Sequence, residues 1–298
     1  MTDNFRKDFT AGIPLQITKH ISRMVSGCLL AVGGTMNEVN SLIIANLLAA
    51  NGSYLVWDYD RKISEATKGI METKGYKIYE IDALERKKYN SCIELIVCKP
   101  KMFFDDKVVI YMETPCPHST PKFIDMLLRD KYLHGQHLTL LASGFDPEYS
   151  YLWDNPYDES QMSAIVHIDS LDAVDEDILD YCKYKLFLDN HHDSSISYLN
   201  KIIPAFASFN DVYLADCRDP EKEYIHIAAD VKILEGFRDM EKDDCLFVED
   251  GKSFIFDEKK VWAPAKEEPV KPDYTGTILT ATLIASAVCL LLSIAKRK

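Results

Sequence analysis

Cys28-Leu29-Leu30-Ala31-Val32-Gly33-Gly34-Thr35-Met36-Asn37-Glu38-Val39-Asn40-Ser41 decides the fold. Cys28–Val32 is a short apolar run that ends in two glycines. Asn40–Leu48 then reads as a helix, closed by Asn51-Gly52, and Ser53–Asp58 reads as a second strand. Strand, glycine turn, helix and strand make a βαβ unit, which implies a parallel sheet with helices on its faces. The first turn of such a unit lies at the carboxyl end of a strand and the amino end of a helix. Anions bind there, because helix N–H groups without partners point outward.

The turn has the place of a phosphate loop without its chemistry. The working motif reads G-x-x-x-x-G-K-[ST]: backbone N–H groups wrap the phosphates, the Lys neutralises them, and the hydroxyl holds Mg²⁺. Counted from Gly33, the second Gly is Glu38, the Lys is Val39 and the Ser/Thr is Asn40. Gly33, Gly34, Thr35, Asn40 and Ser41 are therefore the candidate nucleotide-contact residues of a degenerate loop. ATP and Mg²⁺ are the cofactors that such a loop would take.

The wider pattern resembles the TraG-type coupling proteins, the DNA-transfer ATPases of conjugative type IV secretion. Ala45-Asn46-Leu47-Leu48, Gly52–Asp60, Gly75–Asp82 and Tyr89-Asn90 follow the family's order and spacing. Asp58 matches its D-P-K-G-E segment, although the Pro, Lys and Gly after it do not. Further on, Ile178–Asn190, Ser194–Ile203, Ala229–Leu234 and Asp244–Gly251 are similar to later family segments. The resemblance implies a RecA-like P-loop NTPase fold.

It also implies that the strand Lys107–Met112 ends near the water-polarising carboxylate, so Glu113 is the candidate catalytic residue. The metal-binding Asp that should precede it is Met112. Phosphoryl transfer relies on positioned charge. A chain lacking the Lys, the hydroxyl and that Asp is expected not to hydrolyse ATP. The alternative is a divergent ATPase with Asn40 or Ser41 near the metal and Glu113 on water.

Composition narrows the partners. The chain has 298 residues and a formal net charge of −13. Proteins that grip a nucleic-acid backbone gather positive charge, so direct nucleic-acid binding is disfavoured. Arg86-Lys87-Lys88, Lys99 and Lys101 are the dense basic spots of the first half and read as solvated loop charges. Eight cysteines without a CxxC pair read as reduced thiols. His134, His137 and His191-His192-Asp193 lack the spacing of a closed zinc site, and no metal site is expected. No G-x-S-x-G elbow is present.

The segments read as an arm over 1–24, an α/β domain over 25–262, a Pro/Lys/Glu linker over 263–274, and a membrane helix with a basic tail over 275–298. Thr275–Ala295 carries no charge and ends in Lys296-Arg297-Lys298. A helix of that length spans the hydrocarbon core, about 30 Å. With no signal-peptide core in Met1–Phe9, this reads as a carboxyl-terminal single-pass anchor with a cytoplasmic body. The basic end itself prefers the cytoplasmic side. A rival reading takes Pro272–Gly276 as a sorting-like motif on an external body. The partners expected are the membrane and protein components of a secretion or conjugation assembly.

Overall fold

Strand β3 (Gly27–Val32) is buried along its whole length and lies inside a mixed α/β sheet. In chain order the elements are β1 (Pro14–Gln16), β2 (Ser22–Met24), β3, α1 (Met36–Leu48), β4 (Ser53–Trp57), α2 (Lys62–Thr73) and β5 (Lys77–Ile81). Next come β6 (Val108–Met112), β7 (Leu138–Ala142), β8 (Met162–Ile168), α3 (Glu176–Tyr181), β9 (Tyr184–Phe187) and α4 (Asp193–Ala207). The set closes with β10 (Tyr213–Asp216), β11 (Ile225–His226), α5 (Asp230–Arg238), β12 (Asp244–Glu249) and β13 (Ser253–Glu258). The computed structural model describes residues 14–24, 27–49, 52–81, 107–113, 127, 137–144, 162–207, 213–217, 225–226, 230–250, 252–260 and 262. All belong to one unit that ends at Trp262.

Among the described residues the main sheet has 11 strands in the order β11-β10-β13-β12-β9-β3-β8-β7-β4-β6-β5. The run from β9 to β5 is wholly parallel. β12 joins β9 antiparallel, and β13 returns antiparallel to β12. The short hairpin β1–β2 stands apart as a second sheet.

Counting β3, β4, β7, β8 and β9 as strands one to five, the parallel order is 5-1-4-3-2, with β6 and β5 added outside β4. This is neither the Rossmann nor the flavodoxin order. It matches the P-loop NTPase-like arrangement that the resemblance implies.

Alternation along β3 explains the two cores. Cys28, Leu30 and Val32 face one side, with Leu199 and Ile203 of α4 and Ile233 and Phe237 of α5. Leu29 and Ala31 face the other, with Val39, Leu42, Ile43 and Leu47 of α1 and Ile63 and Met71 of α2. A parallel sheet covered on both faces needs strands that are apolar on both sides. Hence β3, β4, β6 and β7 are buried along their whole length and almost wholly apolar, Ser53 and Thr139 being the polar exceptions.

Tyr89-Asn90, His134, the basic spots at 86–88, 99 and 101, and the membrane span Thr275–Ala295 lie outside the described residues. Among the described residues no helix is long and apolar enough to cross a membrane.

Candidate functional site

The parallel strands deliver their carboxyl ends to one edge, and the glycine turn sits there between β3 and α1. The turn is shorter than expected. Helix α1 begins at Met36, not Asn40, so only Gly33, Gly34 and Thr35 separate it from the strand. A capping box causes the earlier start. The Glu38 N–H reaches Thr35 Oγ1 at 3.4 Å, and Glu38 Oε2 accepts the Thr35 N–H at 2.6 Å and its hydroxyl at 2.8 Å. The T-x-x-E spacing satisfies orphan N–H groups at a helix start reciprocally. Residues 36–38, which a phosphate loop would keep extended around its ligand, are the first turn of the helix.

The neighbouring N–H is also taken. Asp189, just past β9, accepts the Gly34 N–H through Oδ2 at 2.5 Å. Asn190 beside it donates to the carbonyls of Phe237 (3.1 Å) and Arg238 (2.8 Å) at the end of α5. Gly33 and Gly34 both have left-handed φ, +71° and +82°. His167 on β8 lies beneath the turn, 1% exposed, with Nε2 3.1 Å from the Gly33 carbonyl. Nε2 is thus the protonated nitrogen, and among the described residues Nδ1 has no hydrogen-bond partner. Burial pushes the His167 pKa below the ordinary imidazole value.

Glu38 Oε1 meets Lys259 Nζ at 2.6 Å, just beyond β13. Burial raises the Glu38 carboxyl, but the bonds from Lys259 and Thr35 outweigh it and hold the pKa below the usual range.

The remaining candidates point away from the turn. Val39, in the Lys position, is 1% exposed and packs in the core. Asn40 is buried beside Asp60, and among the described residues its amide closes no hydrogen bond of ordinary geometry. The Ser41 hydroxyl donates back to the Asn37 carbonyl at 2.8 Å. Glu113 follows β6, four places along the sheet from β3, or about 19 Å at the usual strand spacing. The structure does not bring Glu113 to the glycine turn. The strand two places from β3 is β7, and it ends Ala142-Ser143 with no carboxylate. The expected pairing of Glu113 with the loop is therefore corrected by strand order.

Glu113 instead lines a small cleft with Asp58, Arg61, Ser64, Glu80, Ile81 and Tyr111. Asp58 caps α2 through the N–H groups of Ile63 (3.2 Å) and Ser64 (2.7 Å), and burial lifts its pKa. Burial also pushes the Tyr111 hydroxyl up to about 12. Three carboxylates and one guanidinium form no phosphate site. Nor do His137, bonded to Ser163 at 3.0 Å, and His191-His192 come together. Among the described residues no group of three or more His, Cys, Asp or Glu is placed to hold a metal. A triphosphate with Mg²⁺ does not fit the turn as it stands: the Gly33 N–H is bonded to the Ile168 carbonyl, the Gly34 and Thr35 N–H groups carry carboxylates, and the nearby Lys259 ammonium is bound to Glu38.

No family model matches the chain, and no curated protein matches it. Solved structures resemble it faintly. The genome-packaging NTPase B204 of Sulfolobus turreted icosahedral virus 2, solved with AMP, is 11% identical at a TM-score of 0.46, covering 80% of this chain and 98% of that one. Its complex with ATP-gammaS gives 0.44 at 11% identity, covering 79% and 98%. The type III secretion ATPase EscN of enteropathogenic E. coli is 9% identical at 0.30, covering 79% and 69%. These neighbours are NTPases, weakly similar.

Proposed function

We propose that this chain is a non-hydrolysing relative of the conjugative coupling ATPases, held to a membrane by Thr275–Ala295 with its body cytoplasmic. In this reading it serves as a scaffold or regulatory partner in a DNA-transfer or secretion assembly. One observation carries the loss of hydrolysis: α1 begins at Met36, so the wrap of the phosphate loop is helix. Val39 in the core and the missing carboxylate on β7 add to it. The membrane and assembly roles draw on the sequence, namely the uncharged carboxyl-terminal segment and the colinear family pattern.

Two experiments test this. Purified full-length protein should show no Mg-ATP turnover above a protein-free blank. Crosslinking in native membranes should recover secretion or conjugation components. Mg-dependent turnover abolished by Glu113→Gln would reverse the reading. A second reading, a divergent nucleotide-binding ATPase, draws on the left-handed Gly33 and Gly34, a glycine turn between strand and helix where phosphate groups bind in other proteins. Saturable ATP binding by the natural protein would favour it.

A further inference from the structure

We propose that Asp189 is a built-in substitute for an anionic ligand, an autoinhibitory contact that closes the glycine turn. This rests on reading the turn as a remodelled phosphate loop. An N–H group at a helix start attracts negative charge because the helix dipole and the unpaired donors act together. In this protein that charge comes from the chain itself. The Asp189 carboxylate sits on the Gly34 N–H at 2.5 Å and the Glu38 carboxylate on the Thr35 N–H at 2.6 Å.

The two carboxylates differ in origin. Glu38 is a local cap three residues from its partner and is neutralised by Lys259. Asp189 arrives from β9, 155 residues away in sequence. It is braced from both sides. The Leu188 N–H donates to the Val32 carbonyl at 2.8 Å, and Asn190 grips the end of α5. Contact is close enough that a β-carbon on Gly33 would stand 2.6 Å from Asp189 Oδ2 and 2.7 Å from Cγ. An external oxyanion aimed at Gly34 would meet a like charge at contact distance and a space already filled. The contact therefore shuts the turn to phosphates.

The test uses the full chain in detergent with glycine labelled by ¹³C at the carbonyl and ¹⁵N at the amide. Gly33-Gly34 is the sole Gly-Gly step in the sequence, so the Gly34 amide is identified directly by its coupling to a labelled carbonyl. Pyrophosphate is the probe. The Gly34 peak of the natural protein should not move. In Asp189→Asn, which keeps the size and removes the charge, and in Asp189→Ala, it should start upfield of its natural position. It should then shift saturably, with affinity raised about tenfold or more by loss of one like charge at contact.

A natural-protein peak that moves as the variants' peaks do would overturn the proposal. So would variants whose Gly34 peak stays at its natural position. A folded spectrum from Asp189→Asn, with its other glycine peaks unchanged, guards against misfolding. The proposed loss of hydrolysis fails separately, by ATP turnover in the natural protein, whereas this inference fails by a silent Gly34 peak in an inactive one.

Discussion

Asp189 and Gly33 are packed so closely that the glycine has no room for a side chain: three carboxyl atoms lie 2.6–2.7 Å from where its β-carbon would be. Its φ of +71° adds a second constraint. Left-handed backbone costs an L-residue roughly 1–2 kcal/mol before any clash. Gly33→Ala is expected to lower stability by at least about that much, read from urea unfolding. Gly69 is the control. It lies inside α2, and a β-carbon added there would meet no atom within 4 Å, so Gly69→Ala should stabilise by about 0.5–1 kcal/mol. Equal effects at the two positions would mean that Asp189 does not press on the turn.

The Glu38–Lys259 contact sets an acid dependence. Glu38 has a folded pKa below its ordinary value. Its contribution is complete above the unfolded value and is lost as pH falls through the folded one. Lys259, 7% exposed on its side chain, leaves a charged acceptor without its partner when truncated. Lys259→Ala should cost about 1.5–3 kcal/mol near neutrality. Unfolding of the natural protein and the variant, followed from neutral pH down past the carboxylate range, should converge. A gap that persists once Glu38 is protonated would assign the loss to packing of the Lys stem.

How much of this is legible in the sequence depends on range. β3, β4, β7, β8 and β12 are short apolar runs bounded by glycine or charge, and period and composition mark them without help from the rest of the chain. The start of α1 is legible too, in Thr35-Met36-Asn37-Glu38, a capping box. The phosphate-loop spacing competes with it over the same residues, and on that spacing Glu38 stands as a lost glycine and not as a cap. Strand order is non-local. Nothing around Glu113 reveals that β7, β8 and β4 stand between it and β3. Asp189 as the partner of Gly34 is hidden for the same reason, since only the parallel pairing of β9 with β3 brings the two together.

His167 gives a second pH dependence, in a different window. It is buried, bonded through Nε2 to the Gly33 carbonyl, and has a lowered pKa. The folded state therefore prefers the neutral ring. That preference is fully present above the unfolded value, about 6.5, and is lost as pH falls through the lower folded value. Asp169 and Asp189 both favour the charged ring but do not overcome burial. His167→Gln, which keeps a donor for Gly33, should flatten the stability profile just below neutrality. His137 has a lowered pKa as well, so the difference between natural protein and variant is the quantity to follow. An unchanged profile would place the His167 proton elsewhere.

The opposite end of β9 holds an ion pair between a fully buried lysine and a partly exposed aspartate, whose behaviour separates charge from packing. The Lys185 side chain is 0% exposed, and its Nζ lies 2.6 Å from Asp250 Oδ2 and 2.6 Å from the Cys182 carbonyl, above the Tyr198 ring at 5.4 Å. Burial raises the Asp250 pKa, against the pull of Lys185, and raises that of the Tyr198 hydroxyl. Breaking a fully buried pair from one side leaves an uncompensated charge and costs about 3–5 kcal/mol, an upper bound for the partly exposed Asp250, while replacing both partners with apolar groups is often neutral. Lys185→Met alone should therefore be strongly destabilising, and Lys185→Met with Asp250→Leu should recover most of the loss in a double-mutant cycle. If the double variant stays as unstable as the single one, the lysine acts through the Cys182 carbonyl and the Tyr198 ring, and the base of β9 is held by those contacts and not by Asp250.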